Sequence, residues 1–196
     1  MQVDFSVELG RDDPTLEIPW SSPDGVIGYQ NLKVNPGALD QIPEAADYPE
    51  LREFLARINA PGSKLESAKC DVWSSTEIHP EEEIFEEPCK FASYIDLFFS
   101  DPQVRNSFAR NEQFLRDLAA SLSSAPEISA SAEFVLRRSF FRRNDQAFEG
   151  FYFTTYVFGY GADVLRARGC WAKAMAMVGD AVQSTPAATN LRTRKG

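Results

Sequence analysis

Residues 129–161 read SASAEFVLRRSFFRRNDQAFEGFYFTTYVFGYG, and this stretch decides the fold. Phe134, Leu136 and Phe140 fall on one side of an alternating pattern, and Val135 and Phe141 on the other, which predicts a strand over 129–142. Arg143-Asn144-Asp145-Gln146 supplies a hairpin turn. Residues 147–159 then return as a second strand, with Phe151 and Phe153 on one face and Tyr152 and Tyr156 on the other. Gly159 and Gly161 are expected to break it, as a tight turn into the next helix. Large side chains on both faces have a consequence. One face must pack against helices, and the other, if uncovered, is an aromatic patch suited to a partner.

Working outward, Val164, Leu165, Trp171, Ala174, Met175, Val178 and Val182 mark the inner face of a helix over 162–184. Upstream, Asp101 and Pro102 start a helix over 102–122, in which Val104, Phe108, Asn111, Leu115, Leu118 and Leu122 recur at three- and four-residue steps. Strands are expected at 66–75, with Cys70 and Val72 opposite Asp71 and Trp73, and at 91–99. Asp47, Pro49 and Glu50 read as the capped start of a helix that Pro61-Gly62 stops. At the N-terminus, Val3, Phe5, Val7 and Leu9 alternate with Asp4, Ser6 and Glu8 as a half-buried strand, and 15–20 suggests a second. Residues 21–46, rich in proline and glycine, read as an extended arm with a turn near Ala38–Gln41.

The strand–strand–helix order occurs at 66–122 and again at 129–184. Short connections between consecutive strands imply an α+β fold, an antiparallel sheet with helices packed mainly on one face. The expected organisation is an N-terminal strand-and-arm segment over 1–46, one α+β domain over 47–185, and a flexible basic tail over 186–196. At the level of element order, 47–184 resembles the secretion-chaperone-like fold, and that resemblance implies a small, acidic, dimeric protein that binds other proteins.

The 196 residues are 43% hydrophobic and 25% charged, a globular composition for a single domain that needs no disulfide staple. No apolar run approaches a membrane span, the first residues lack signal-peptide character, and three cysteines make a poor disulfide framework. A soluble, cytoplasmic protein without membrane contact is expected. Residues 1–101 hold 7 basic and 21 acidic side chains, and residues 102–196 hold 13 and 8, within a net charge of −9. Overall acidity argues against nucleic acid as the main partner.

No residue set specifies a chemistry. His79, the one histidine, sits in an acidic loop over 76–90 where carboxylates favour its protonated, non-basic form. Cys70, Cys89 and Cys170 have no metal-ligand spacing. The run of Glu81, Glu82 and Glu83 reads as a solvated charge run suited to docking a basic partner. Asp71 and Asp96 stand in strands among apolar neighbours. They are expected to face solvent, yet a buried carboxyl there would have a raised pKa and acid–base capacity. Gly159-Tyr160-Gly161 lacks the remaining residues of a phosphate loop. Arg137, Arg138, Arg142 and Arg143 form no single stripe for nucleic acid, because alternation splits them between faces.

These readings favour a non-catalytic interaction or assembly module, self-associating as a homodimer or binding another protein, with no cofactor and no metal. Its partner-binding set is Arg137, Arg138, Phe140, Phe151, Phe153, Tyr152 and Tyr156, with Glu81, Glu82 and Glu83 supplying charge. The rival is an enzyme using Asp71 and Asp96, with Tyr94 or Tyr156, in a pocket under the N-terminal arm.

Overall fold

The computed structural model describes residues 1–144 and 146–187. In chain order the elements are β1 (Gln2–Glu8), β2 (Leu16–Ile18), α1 (Pro43–Asp47), α2 (Pro49–Ile58), β3 (Leu65–Ser75), β4 (Cys89–Phe99), α3 (Pro102–Arg105), α4 (Phe108–Ser123), β5 (Ala130–Arg143), β6 (Gln146–Gly161) and α5 (Val164–Ser184). Two 3-10 turns, Pro36–Gln41 and Pro80–Phe85, lie in the connections. One six-stranded sheet runs β1-β5-β6-β4-β3, and β2 also pairs with β5. The β3–β4, β4–β6 and β5–β6 pairings are antiparallel. β1 and β2 instead run parallel to β5, a departure from the purely antiparallel sheet expected. A parallel neighbour requires a long crossover, and more than a hundred residues separate these strands from β5.

Sheet parity sorts the side chains as the alternation predicts. Phe134, Leu136, Phe153 and Val157 enter one core with Ile95, Leu97 and Phe99 of β4. Leu51, Phe54 and Leu55 of α2, Phe114 and Leu118 of α4, and Trp171, Met175 and Val178 of α5 close it from above. The Trp171 indole N–H donates to Ser93 Oγ at 2.9 Å, so these two buried polar groups satisfy each other.

Gly159 and Gly161 do not break β6, which runs through to Gly161. Their role is clearance. A Cβ at Gly159 would lie 2.1 Å from the Trp171 nitrogen and 2.3 Å from the Ala167 carbonyl oxygen, and one at Gly161 would lie 2.5 Å from the Ala167 nitrogen. The backbone of α5 thus rests directly on β6. Asp163 caps the helix by accepting the Arg166 N–H at 2.8 Å. Val164 and Leu165 precede the contact and stay exposed, against the inward placement expected of them.

Three other local expectations change. Asp47 ends α1 instead of capping α2, and Glu50 is drawn to Arg168 across the fold. The helix expected over 102–122 is two pieces, α3 and α4. Asn111, wholly buried, bridges the break by donating to the Val104 and Ser107 carbonyls. Residues 76–90 carry a turn of 3-10 helix and the first residues of β4. At each edge of the sheet one N–H is taken by the carboxylate of the preceding residue, Phe5 by Asp4 and Val72 by Asp71, both at 2.7 Å. Charged residues placed this way discourage the addition of a further strand. Among the described residues no helix is long and apolar enough to cross a membrane. The basic residues of the expected 186–196 tail lie outside the described residues.

The glycine contact yields a test. Gly159→Ala is expected to cost about 3 kcal/mol or more, because backbone on both sides must move apart. Gly169→Ala in α5, where nothing lies within 4 Å of the added carbon, should gain about 0.5–1 kcal/mol from helix propensity. Urea denaturation of the two variants measures the contrast.

Candidate binding groove

The second face of the sheet carries the alternate residues of the same strands. The arm crosses one end of it. Leu16, Ile18, Trp20 and Tyr29 pack there on Phe98, Phe141 and Tyr152, and the Trp20 indole donates to the Ala68 carbonyl at 2.8 Å. Ala68 is the extra residue of a bulge in β3 between Ser67 and Lys69, which turns its carbonyl toward the arm. The 3-10 turn 80–85 covers the opposite end. Glu82 and Lys90 are both buried there and joined by two bonds of 2.8 and 3.1 Å. The Tyr160 hydroxyl and the His79 N–H also donate to the Glu82 carboxylate, at 3.0 and 2.8 Å. Burial pushes the Glu82 carboxyl up, but these donors outweigh it and hold the pKa below the ordinary value. Phe85 stacks on Tyr160 with ring centroids 4.1 Å apart.

Between these two covers lies an open groove of about 1040 Å³. Its aromatic lining includes Trp73 from β3 and Tyr156 and Phe158 from β6, and Tyr94 from β4 closes a circuit of rings with them. Centroid separations are 6.5 Å for Trp73–Tyr94, 6.3 Å for Tyr94–Tyr156, 6.2 Å for Tyr156–Phe158 and 6.4 Å for Phe158–Trp73. The register explains the circuit. Ala92 pairs with Trp73 on one side and Phe158 on the other, so a small residue lets two large rings approach across it. All four rings are half-buried. The walls include Asp4, Glu77, Glu81 and Glu133, and none of these carboxylates is in an ion pair among the described residues. Burial, together with the charges of Asp4 and Glu8, raises the Glu133 pKa. The groove therefore combines π faces, one of them already under Lys90 at 6.0 Å from the Phe158 centroid, with carboxylates outside any ion pair, an environment suited to ammonium or guanidinium groups.

Beside the rings, a polar relay crosses the sheet. Glu8 accepts from Arg137 Nε at 2.7 Å, Arg137 Nη1 donates to Thr154 Oγ1 at 2.7 Å, and the Thr154 hydroxyl donates to Asp96 Oδ1 at 2.6 Å. Asp96 is 7% exposed, not solvent-facing as expected. Burial lifts its pKa to about 6 despite the Thr154 bond and the charges of Lys69 and Arg137. Asp71, by contrast, is exposed.

The sequence-derived site residues separate accordingly. Tyr156 lies in the groove and Glu81 on its wall. Tyr152 is buried beneath the arm, Phe153 is wholly buried in the helix-side core, and Phe151 packs edge-on against Phe108. Of these three, Tyr152 and Phe153 are buried and Phe151 is half-buried. Arg137 is held in the relay, and Arg138 pairs with Glu149 at the hairpin. Phe140 shares the helix-side parity of Arg138 and is half-buried. Glu82 is consumed by Lys90, while Glu83 stays exposed. The cavity beneath the arm, about 300 Å³, is lined by Trp20, Leu32, Leu55 and Cys70 and includes neither Asp71 nor Asp96. Trp73, Glu133 and Asp4 were missed. Alternation places each on the correct strand face, but no local pattern shows that three strands bring them together. Among the described residues no cluster of three or more histidine, cysteine or acidic side chains could hold a metal.

Compared with known proteins, the chain matches no family model, no curated protein and no solved structure. The likeness to the secretion-chaperone-like fold rests on element order alone.

Three variants test these buried charges. Lys90→Met strands the Glu82 carboxylate and should cost about 3–5 kcal/mol, most of it recovered in the Lys90→Met/Glu82→Leu double variant. Asp96 keeps its proton to about pH 6 when folded, against 3.8 for an ordinary aspartate. The folded state thus binds more protons across that window, and stability falls as pH rises through it. Asp96→Asn should remove this fall and gain about 2–3 kcal/mol at pH 7, read from urea midpoints at pH 4 to 7.

Proposed function

We propose that this protein is a non-catalytic interaction module that takes a basic segment of a partner protein into the groove on the second sheet face. The supporting observation is the circuit of Trp73, Tyr94, Tyr156 and Phe158 set among the unpaired carboxylates of Asp4, Glu77, Glu81 and Glu133. Aromatic rings at the centre of an interface supply most of its binding energy. The surrounding charges set the sign of the partner and the rate of encounter. The sheet edges are blunted by Asp4 and Asp71, so the face, not the edge, is the binding surface. A second copy of this chain is one source of such a segment.

The rival reading, acid–base catalysis by Asp96, is favoured by the burial of that carboxyl. It requires a substrate to reach past Thr154 and Arg137, which already occupy its neighbourhood.

Fluorescence titration tests the proposal directly. An oligoarginine peptide should perturb the Trp73 emission, and an oligoglutamate peptide should not. Glu133→Lys should weaken the oligoarginine response roughly tenfold, and Trp73→Ser with Tyr156→Ser should weaken binding, followed calorimetrically, about 30-fold, with circular dichroism melts unchanged. Rising salt should weaken the interaction further. An equal response to both peptides, or an undiminished one in the variants, would remove the groove from consideration. Light scattering of the free protein separates self-association from binding to another chain.

A further inference from the structure

The hairpin end of the second face holds a separate cavity of about 490 Å³, bounded by the arm, α3 and the tip of the β5–β6 hairpin. Unlike the groove it is lined by three arginines, Arg105, Arg142 and Arg143, beside a single carboxylate, Glu66. Arg105 of α3 lies with its guanidinium carbon 3.9 Å from the centroid of the Phe141 ring, a stacking that fixes the plane of the fork. The side chain is half-buried, and its Nε is shielded from solvent with no hydrogen-bond acceptor among the described residues. Nor does Arg105 form an ion pair among them. Glu66, the carboxylate whose charge acts most strongly on it, accepts from the Tyr29 hydroxyl at 3.3 Å instead. Burial accordingly pulls the Arg105 pKa down. A desolvated cation without its full set of acceptors is costly.

The rest of the cavity supplies what an organic anion would need. Arg143 stands at its mouth as a second, exposed cation, while the neighbouring Arg142 is occupied by Glu17 through bonds of 2.7 and 3.2 Å. Phe148, 45% exposed, forms an apolar wall facing the opening. Nothing within the described structure covers that ring or completes the Arg105 fork. One ligand shape satisfies both requirements.

We infer that this cavity binds a small aromatic anion, a phosphate or carboxylate carried on a flat apolar ring. The head group sits on the Arg105 fork, which is built for two-oxygen acceptors. The ring lies against Phe148, and Arg143 strengthens the field at the entrance. The inference stands apart from the groove, because the two sites lie at opposite ends of β6 and take opposite charges.

Calorimetry with phenyl phosphate and with benzoate tests it on the full chain, with inorganic phosphate and benzylamine as comparisons. At least one aromatic anion should bind, with an affinity near about 1 mM or tighter, and benzylamine should not bind at this site. Arg105→Gln should weaken binding roughly tenfold or more, and Arg105→Lys should not restore it, because an ammonium lacks the planar fork. Arg105 also packs on Phe141, so Phe148→Ala provides a variant at an exposed position. It should weaken the aromatic anion several-fold and leave inorganic phosphate unchanged. Absence of binding by both aromatic anions, undiminished binding in Arg105→Gln, or equal affinity for inorganic phosphate would overturn the inference.

Discussion

Everything in this fold depends on how closely α5 lies on β6. Two glycines, Gly159 and Gly161, remove the side chains that would hold the helix away, and the Ala167 and Trp171 backbone fills the space. Close approach lets Trp171 reach across to Ser93 on β4 and pack on Phe91 at 5.0 Å. α5 then serves as the platform on which α2 settles, with Arg168 reaching Glu50 and Arg57 reaching Asp180. The helix side of the sheet becomes a dry, close-packed layer with no room for charge.

That sealing has a consequence for the other face. Strands in the middle of a sheet still carry polar residues at alternate positions, and here the buried charged ones, Lys90 and Asp96, lie on the second face. Asp96, Thr154, Arg137 and Lys90 emerge on the second face, where Glu8 and, from the 80–85 turn, Glu82 complete two compact networks. The arm and the 80–85 turn fold over the ends of this face, and the turn buries the Glu82–Lys90 pair. What is left between them is the aromatic floor and the acids that found no partner. At the hairpin end the same logic leaves Arg105 stacked on a ring but short of acceptors. The two candidate sites are thus the places where this face did not neutralise itself.

Much of this was legible in local pattern. Alternation assigned the strand faces of 129–159 correctly, and the three- and four-residue steps of Leu115, Leu118 and Leu122 marked a helix face that is buried. Asp101 caps its helix as the proline beside it suggested, accepting the Gln103 N–H at 2.9 Å. Patterns with period two or 3.6 report which side of an element is apolar, because burial acts on each side chain through its own element. The errors came where a partner far along the chain competes. Glu50 follows the rule for a capping box but meets a guanidinium from α5. Glu82 belongs to a run that reads as solvated, yet a lysine eight residues on folds over it.

Local pattern was enough for most element types, the parity of the central strands and the excess of acid in the first half of the chain, but not for α1, the break between α3 and α4, or the continuation of β6 to Gly161. It could not determine which residues share a site, because that depends on strand order and register. Only the tertiary structure placed β1 and β2 parallel beside β5, brought Trp73 next to Phe158 across Ala92, and set Asp4 beside Glu133. It also decided which half of the aromatic set is core and which is surface, since an alternating strand with large residues on both faces fits either choice. The physical reason is that the hydrophobic effect is non-directional. It requires that one face be covered, and only the clearance at Gly159 and Gly161 selects the face on which the helices lie.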